Sequence, residues 1–257
     1  MTMHAEPKAV AAGGAPDGRR ARLPALDMRT LDPPYDVPGY RSTTRRAPLQ
    51  ALLVLPPSTA DGTGPVFGER TVSPSDHDLT CHHPDEPMGQ RMSVEGRLLD
   101  TWGRPVAGQL VELWQANAAG RYQHAVDDHP APLDPNFDGF GRCLTDGDGH
   151  YRFVTVRPGA YPWGNHPNAW RPAHLHFSVF GRAFAHRLVT QMYFPDDPLF
   201  DYDPIFRSVA SPDARAAMVA RFDLRLTEPQ RCLGYHFDIV VGGPATWPAG
   251  SGTGAGR

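Results

Sequence analysis

Cysteine is scarce in this chain, which has 257 residues and only Cys81, Cys143 and Cys232. An odd number without C-x-x-C spacing indicates neither a disulfide framework nor a zinc ribbon, so we expect reduced thiols in a cytoplasmic protein. No apolar run approaches the roughly 20 residues of a membrane-spanning helix, and the amino terminus lacks the apolar stretch of an export signal. The net charge of -3 provides no basic field for nucleic acid.

Regular structure is predicted for only part of the chain. Residues 1–30 and 242–257 are rich in small residues, proline or arginine and predict disordered ends. Residues 31–90 combine many prolines with little periodicity, which predicts an extended arm that wraps a surface. Residues 91–241 are expected to form a β-sandwich domain.

Short strand-like runs separated by Gly, Pro and Asp fill this last region. A succession of strands without alternating helices predicts an all-β sandwich with a long irregular amino-terminal arm. One short helix is expected where Ser211 can act as the N-cap and Pro212 takes the first helical position. The predicted strands are 92–99, 110–115, 151–156, 174–180, 188–193 and 235–241.

Two histidines stand two residues apart in the apolar segment RPAHLHF, residues 171–177. On a β-strand such residues point to the same face about 6.5 Å apart, so His174 and His176 can approach one metal ion. Histidine is the commonest metal ligand. Taken alone, however, this pair is more often a packed or surface feature than a site.

Two tyrosines upstream change that balance. Tyr122 in GRYQH and Tyr161 in GAYPW both lie where strand-like runs give way to loops. Two phenolates and two imidazoles form a ligand set for a hard, highly charged ion, with ferric iron as the natural candidate. Because tyrosine ionises near about pH 10 in water, two phenolates at neutral pH require such a cation.

Several ordered blocks make the chain resemble the intradiol ring-cleaving dioxygenases, and within that family the protocatechuate type. The similarity runs from about residue 40 to about residue 241 and implies a prealbumin-like or Ig-like β-sandwich. Its blocks are VEGR at 94–97, GRPV at 103–106, VELWQAN at 111–117, LDPNF at 133–137, GAYPW at 159–163, WRPAHLHF at 170–177 and TQMYF at 190–194.

The resemblance implies a role for each matching residue. Tyr122, Tyr161, His174 and His176 match the four protein ligands of Fe(3+). Tyr161 and His176 correspond to the axial pair, and Tyr161 is the ligand that a binding catechol displaces. Tyr161 therefore counts as a catalytic residue as well as a ligand.

Further residues match the family's catalytic and substrate-binding positions. Arg171 corresponds to a residue that places positive charge against the activated ring, and Gln191 to one that orients the substrate. Tyr40, Trp163 and Ile205 correspond to residues that contact the substrate or wall its pocket. Alternatively, Arg171 forms a structural ion pair, and the other residues that match these positions are ordinary core or rim residues.

The implied reaction is cleavage of protocatechuate (3,4-dihydroxybenzoate) by O2 to 3-carboxy-cis,cis-muconate, a step of aromatic catabolism in the β-ketoadipate pathway. The chain lacks the 3.6-residue periodicity of an amino-terminal dimerisation helix. The resemblance therefore implies a homologous α chain as partner in an αβ hetero-oligomer. It also implies that the arm at 31–90 contacts this partner and that 91–241 is the catalytic domain. The alternatives are a related catechol or hydroxyquinol intradiol dioxygenase and a non-catalytic prealbumin-like binding module.

Competing candidates are interpreted as structural. The stretch 76–83 contains Asp, His and Cys in high density, but a polar loop is the preferred interpretation over a second metal site. Tyr151 and Tyr193 lie in predicted strands, where we expect them to pack by their rings.

Overall fold

The computed structural model describes residues 36–46, 48–50, 72–180 and 187–241, and the predicted disordered ends at 1–30 and 242–257 lie outside them. The described residues are mostly strands, as predicted for an all-β sandwich. The strands are β1 (Arg91–Asp100), β2 (Leu110–Trp114), β3 (Phe140–Leu144), β4 (His150–Val156), β5 (Tyr161–Pro162), β6 (Trp170–Arg171), β7 (His174–Phe180), β8 (Arg187–Tyr193), β9 (Arg221–Phe222), β10 (Leu233–His236) and β11 (Ile239–Val241).

Three short α-helices occur in the described part of the chain, at Thr43–Arg46, Pro204–Ser208 and Pro212–Ala217, with a 3-10 turn at Phe200–Tyr202. The helix predicted after Ser211 is confirmed, with the serine hydroxyl accepting from the Ala214 amide. The sequence predicts one short helix, whereas the described residues contain three, and the Pro204–Ser208 helix begins in the same way after Asp203. No helix among the described residues is long and apolar enough to cross a membrane.

A five-stranded sheet is built around β1. This strand pairs antiparallel with β4 and parallel with β10 and β11, while β9 pairs with β10. The strand predicted at 235–241 is divided at Phe237 and Asp238. There the Phe237 amide donates to the Glu95 carbonyl, and the Asp238 carboxylate accepts from the Arg97 amide at 2.8 Å. The hydrogen bond between the Asp238 side chain and β1 thus interrupts the backbone ladder along β1.

The second sheet is antiparallel, with four strands in the order β3, β2, β7, β8. The hydrophobic core lies between the two sheets, and burying each of its large apolar side chains contributes about 2 kcal/mol. Its largest fully buried members include Tyr151, Phe153, Phe177, Leu98, Leu113 and Leu175.

Alternation along β7 determines where the histidines point. Leu175, Phe177 and Val179 belong to the core between the sheets. Because successive side chains on a strand point to opposite faces, His174 and His176 lie on the outer face of the four-stranded sheet. A small two-stranded ribbon formed by β5 and β6 meets this face through Tyr161, whose hydroxyl lies 3.4 Å from Nε2 of His174.

The described part of the predicted arm docks beside that ribbon. In residues 36–46, the Arg41 amide donates to the Asn165 carbonyl at 2.7 Å and the Ser42 amide to the Asn165 side chain at 2.8 Å. The rest of the segment 31–71, except for residues 48–50, lies outside the described residues.

Candidate functional site

Three neighbouring strands place side chains together on the outer face. In the register of β7 and β8, His174 stands opposite Tyr193 and His176 opposite Gln191. On the other side of β7, Trp114 of β2 stands opposite His176, and its ring stacks on the imidazole at 4.9 Å with an angle of 2° between the planes. The strand register therefore fixes both imidazoles and the walls beside them.

The two tyrosines reach this face from connecting segments. Tyr122 follows Gly120, whose φ of +80° favours glycine and where a Cβ would lie 2.3 Å from the Ala160 carbonyl oxygen. This close approach brings the loop against the segment that leads into Tyr161. The two phenol rings then meet edge to face, 5.5 Å apart.

The structure brings all four predicted ligands together. The Nε2 atoms of His174 and His176 are 3.2 Å apart, and the Tyr161 hydroxyl lies 3.4 Å from Nε2 of His174. The Tyr122 ring lies 6.4 Å from the His176 ring. Two phenol oxygens and two imidazoles thus face a common centre at one end of the sheet.

Both imidazoles are neutral near pH 7. The Nδ1 atom of His174 lies 2.7 Å from the Pro172 carbonyl oxygen, which can only accept, so Nδ1 donates and Nε2 keeps its lone pair. Burial, the charge of Arg171 and the neighbouring His176 hold the pKa of His174 well below its ordinary value. Burial and Arg171 lower the pKa of His176 to about 3.

The phenols are also neutral when no cation is near. Burial, followed by the Tyr161 phenol, raises the pKa of Tyr122 well above its ordinary value. Burial likewise raises the pKa of Tyr161, although the Arg171 charge opposes this. The Tyr122 hydroxyl is buried and makes no well-formed hydrogen bond to the described residues, and its polar neighbour is the Tyr161 phenol. A buried hydroxyl without such a bond costs about 1–3 kcal/mol, which marks this oxygen as one that folding alone does not explain.

A buried network surrounds Arg171, which stands opposite Tyr161 in the β5–β6 ribbon. Its Nε lies 3.1 Å from both carboxylate oxygens of Asp203. One terminal nitrogen donates to Gln191 Oε1 at 2.5 Å and to the Tyr193 hydroxyl at 3.2 Å. Arg171 is therefore an ion-pair partner within the same cluster that holds the four candidate ligands.

The predicted pocket residues lie at different distances from this cluster. The Arg171 guanidinium lies 5.9 Å from the Trp163 ring centre, and Tyr40 packs its ring edge to face against Trp163 at 4.8 Å. Burial and Asp203 raise the pKa of Tyr40, while Arg171 lowers it, so this phenol lies within range of the ion pair. Ile205 follows on the Pro204–Ser208 helix, with its amide donating to Asp203 at 2.9 Å.

Sequence reasoning missed three members of the cluster. Tyr193 packs by its ring against Phe206 as expected, but its hydroxyl also joins the Arg171 network. Asp203 was not singled out, although its position before Pro204 is a helix-start signal. Trp114 was noted only within a motif, and the strand pairing that puts it on His176 is not visible in the sequence.

The polar stretch 76–83 forms ordinary side-chain contacts. His83 pairs with Asp138 at 2.9 Å, and the Asp78 carboxylate accepts from the amide and hydroxyl of Thr80. Within the described ranges, no group of three or more His, Cys, Asp or Glu side chains could hold a metal ion. The phenol and imidazole cluster is of a different type, since tyrosine provides half of its donors.

Two family models match the chain. The model described as Dioxygenase matches residues 62–243, and that of the amino-terminal region of the protocatechuate 3,4-dioxygenase beta subunit matches residues 33–58. The chain is 55% identical over 218 residues to the protocatechuate 3,4-dioxygenase beta chain of Burkholderia cepacia, covering 84% of this chain and 92% of that one.

More distant similarities agree with these. The chain is 30% identical over 162 residues to the protocatechuate 3,4-dioxygenase alpha chain of Pseudomonas putida, covering 62% of this chain and 75% of that one. It is 39% identical over 145 residues to the hydroxyquinol 1,2-dioxygenase of Rhizobium sp. (strain MTP-10005), covering about half of each chain, 48% and 47%. The solved 3-chlorocatechol 1,2-dioxygenase of Rhodococcus opacus 1CP has the same fold, with a TM-score of 0.51 at 24% identity over 66% of this chain and 65% of that one.

Proposed function

Because this chain belongs to the intradiol ring-cleaving dioxygenase family, we propose that it cleaves protocatechuate with O2 between the two hydroxylated carbons. The product is 3-carboxy-cis,cis-muconate, which places the enzyme in the β-ketoadipate route of aromatic catabolism. The observation that carries this proposal is the convergence of two buried phenols and two neutral imidazoles on one centre.

The same four side chains fit ferric iron as the cofactor. The Tyr122 oxygen is buried and makes no well-formed hydrogen bond within the described residues, which suits an oxygen that binds a cation. Nε2 of His174 carries a lone pair and lies 3.2 Å from Nε2 of His176. Phenolate oxygen and imidazole nitrogen are donors that a hard trivalent ion accepts, and two phenolates offset most of its charge. Tyr122, Tyr161, His174 and His176 would therefore hold the ion.

A bound ferric ion would supply Lewis acidity and an electron-accepting centre for a catechol. Tyr161 is suited to exchange a proton with the substrate, since burial favours its neutral form while Arg171 favours its phenolate. The Tyr161 phenolate, which a bound ferric ion would favour, can take up a proton from a catechol hydroxyl to give the neutral phenol that burial favours.

Arg171 provides a fixed positive charge beside the reacting ring. Its side chain is only 3% exposed, so its charge acts with little screening by water and stabilises negative charge that develops on the substrate. Gln191 is hydrogen-bonded to this guanidinium and serves to orient the substrate. Tyr40 and Trp163 line the adjoining surface, and Ile205 forms an apolar wall on its helix.

The functional assembly pairs this chain with a homologous α chain. Relatives named as beta and alpha chains of one enzyme support an αβ hetero-oligomer. Within it, the segment 31–90 would contact the partner, since its described part already docks beside Trp163 at the edge of the site.

Co-expression with the α chain, iron loading and oxygen uptake test this function directly. We expect a reddish protein, because phenolate donors give charge-transfer absorption to ferric iron, and we expect the colour to fade on reduction. Protocatechuate should consume oxygen with formation of 3-carboxy-cis,cis-muconate, faster than catechol or hydroxyquinol measured in parallel. A colourless iron-loaded protein would favour a non-catalytic module, and faster uptake with catechol or hydroxyquinol would reassign the substrate.

A further inference from the structure

Asp203 is the most completely buried charged residue beside the site. Its side chain is 0% exposed, and Nε of Arg171 lies 3.1 Å from each of its two oxygens. One of these oxygens also accepts from the Ile205 amide at 2.9 Å and so caps the Pro204–Ser208 helix. A single carboxylate therefore ties the guanidinium to the helix that carries a proposed pocket residue.

Tyr193 supports the same arrangement from β8. Its hydroxyl lies 3.1 Å from Asp203 Oδ2 and 2.8 Å from Gln191 Oε1, and it accepts from Arg171 at 3.2 Å. The hydroxyl thereby links three side chains that come from different elements. The aromatic ring is fully buried and cannot follow a shift of the guanidinium without repacking.

The three partners of the guanidinium leave one of its sides available. Arginine has five N–H donors, and those on Nε and on NH2 are directed at Asp203, Gln191 and Tyr193. Among the described residues, NH1 makes no hydrogen bond. It is also not fully buried. NH1 is therefore the nitrogen of Arg171 that is free to meet a ligand.

We propose that Asp203 is a positioning residue of the ring-cleavage reaction, which with Tyr193 holds Arg171 so that NH1 faces the bound catechol. This rests on the proposed function. Asp203 touches neither the candidate metal ligands nor, on this view, the substrate, and acts only through Arg171. Without the carboxylate, a buried guanidinium would turn toward water or toward other acceptors and lose its orientation.

Asp203→Asn in the iron-loaded αβ complex tests the proposal, because asparagine caps helices as well as aspartate but carries no charge. We expect kcat per bound iron to fall by about 10-fold or more, as for loss of a preorganised charge contact. Iron content, the visible band and the dissociation constant for protocatechuate under anaerobic conditions should change little. The matched control is Asp201→Asn, which removes an exposed charge two residues away and should leave kcat unchanged.

A double-mutant cycle separates positioning from a merely structural role. In an Arg171→Met background, Asp203→Asn should cause no further loss of kcat, since its partner is gone. In the iron-free complex, each single change should lower the melting temperature, and the double change should recover part of that loss because no unpaired buried charge remains. Additive losses in kcat would overturn the proposal.

The outcomes also separate this inference from the function on which it rests. If the wild-type complex does not cleave catechols, the proposed function fails. If the wild type is active and Asp203→Asn keeps its full kcat per bound iron, only the positioning role fails. Should Asp203→Asn not fold, Tyr193→Phe is the deciding variant. It should lower kcat about 3-fold or more with iron retained, and an unchanged kcat would contradict the proposal.

Discussion

The interior of the sandwich and the outer face of its four-stranded sheet use buried tyrosines in opposite ways. In the interior, the Tyr151 hydroxyl donates to the Phe237 carbonyl at 2.5 Å, so its burial satisfies both groups. On the outer face, the Tyr122 hydroxyl is buried without a well-formed hydrogen bond in the described part of the chain. Burial raises the pKa of both phenols. The difference is in hydrogen bonding, and it separates a residue that stabilises the fold from one suited to bind a ligand.

The largest effect is expected when one histidine is removed from each of these two regions. His176→Ala should lower iron affinity by about 100-fold or more, since even residues behind the ligands of a metal typically contribute 10-fold to 100-fold. His150→Ala is the matched control, because His150 lies on β4 of the other sheet and contacts Glu95 at 3.4 Å. Elemental analysis after dialysis measures the iron retained by each variant. Equal retention would show that the two histidines do not differ in iron binding.

Acid titration of the iron-free protein sharpens the contrast through His176. Its folded pKa of about 3 lies below the ordinary 6.5, so between these values the unfolded chain binds a proton that the folded protein does not. Stability is therefore fully present above pH 6.5 and should fall as pH drops toward 3, by up to about 1.4 kcal/mol per pH unit. Urea denaturation at several pH values measures the slope, which should be smaller in His176→Gln.

The smallest expected effect compares the two tyrosines directly. Tyr151→Phe leaves the Phe237 carbonyl without its donor and should cost about 1–3 kcal/mol of unfolding free energy, with iron retained. Tyr122→Phe removes a hydroxyl that makes no such bond, so the iron-free protein should be at least as stable as wild type, with weaker iron binding. A similar cost for both variants would show that Tyr122 is an ordinary core residue.

The parts of this molecule that could be predicted from the sequence are those determined by neighbouring residues. Period-two alternation indicated β7 and placed His174 and His176 on one face, and the serine and proline before residue 213 indicated a helix. The same local reasoning missed the division of the last predicted strand, because the Asp238 carboxylate that interrupts it pairs with an amide 141 positions away.

The same limit applies to the candidate site, which neighbouring residues predict only in part. The four candidate ligands stood out because their residue types and motifs are unusual, and the structure brings them together. Asp203 is 32 positions from Arg171, and an aspartate before a proline reads equally well as a plain helix cap. Tyr193 resembled any aromatic strand residue until the register placed it opposite His174. Partners that are distant in the chain required the tertiary structure.

The alternation along β7 has a consequence for how this protein can tolerate changes of length. Deleting or inserting one residue between Pro172 and His174 would exchange the two faces of the strand downstream of the change. Leucine and phenylalanine would then point at the candidate metal centre, and the imidazoles would lie between the sheets. In the turn at 146–149, by contrast, one extra residue would only lengthen a surface loop. The fold thus tolerates changes of length in such turns but not in this strand.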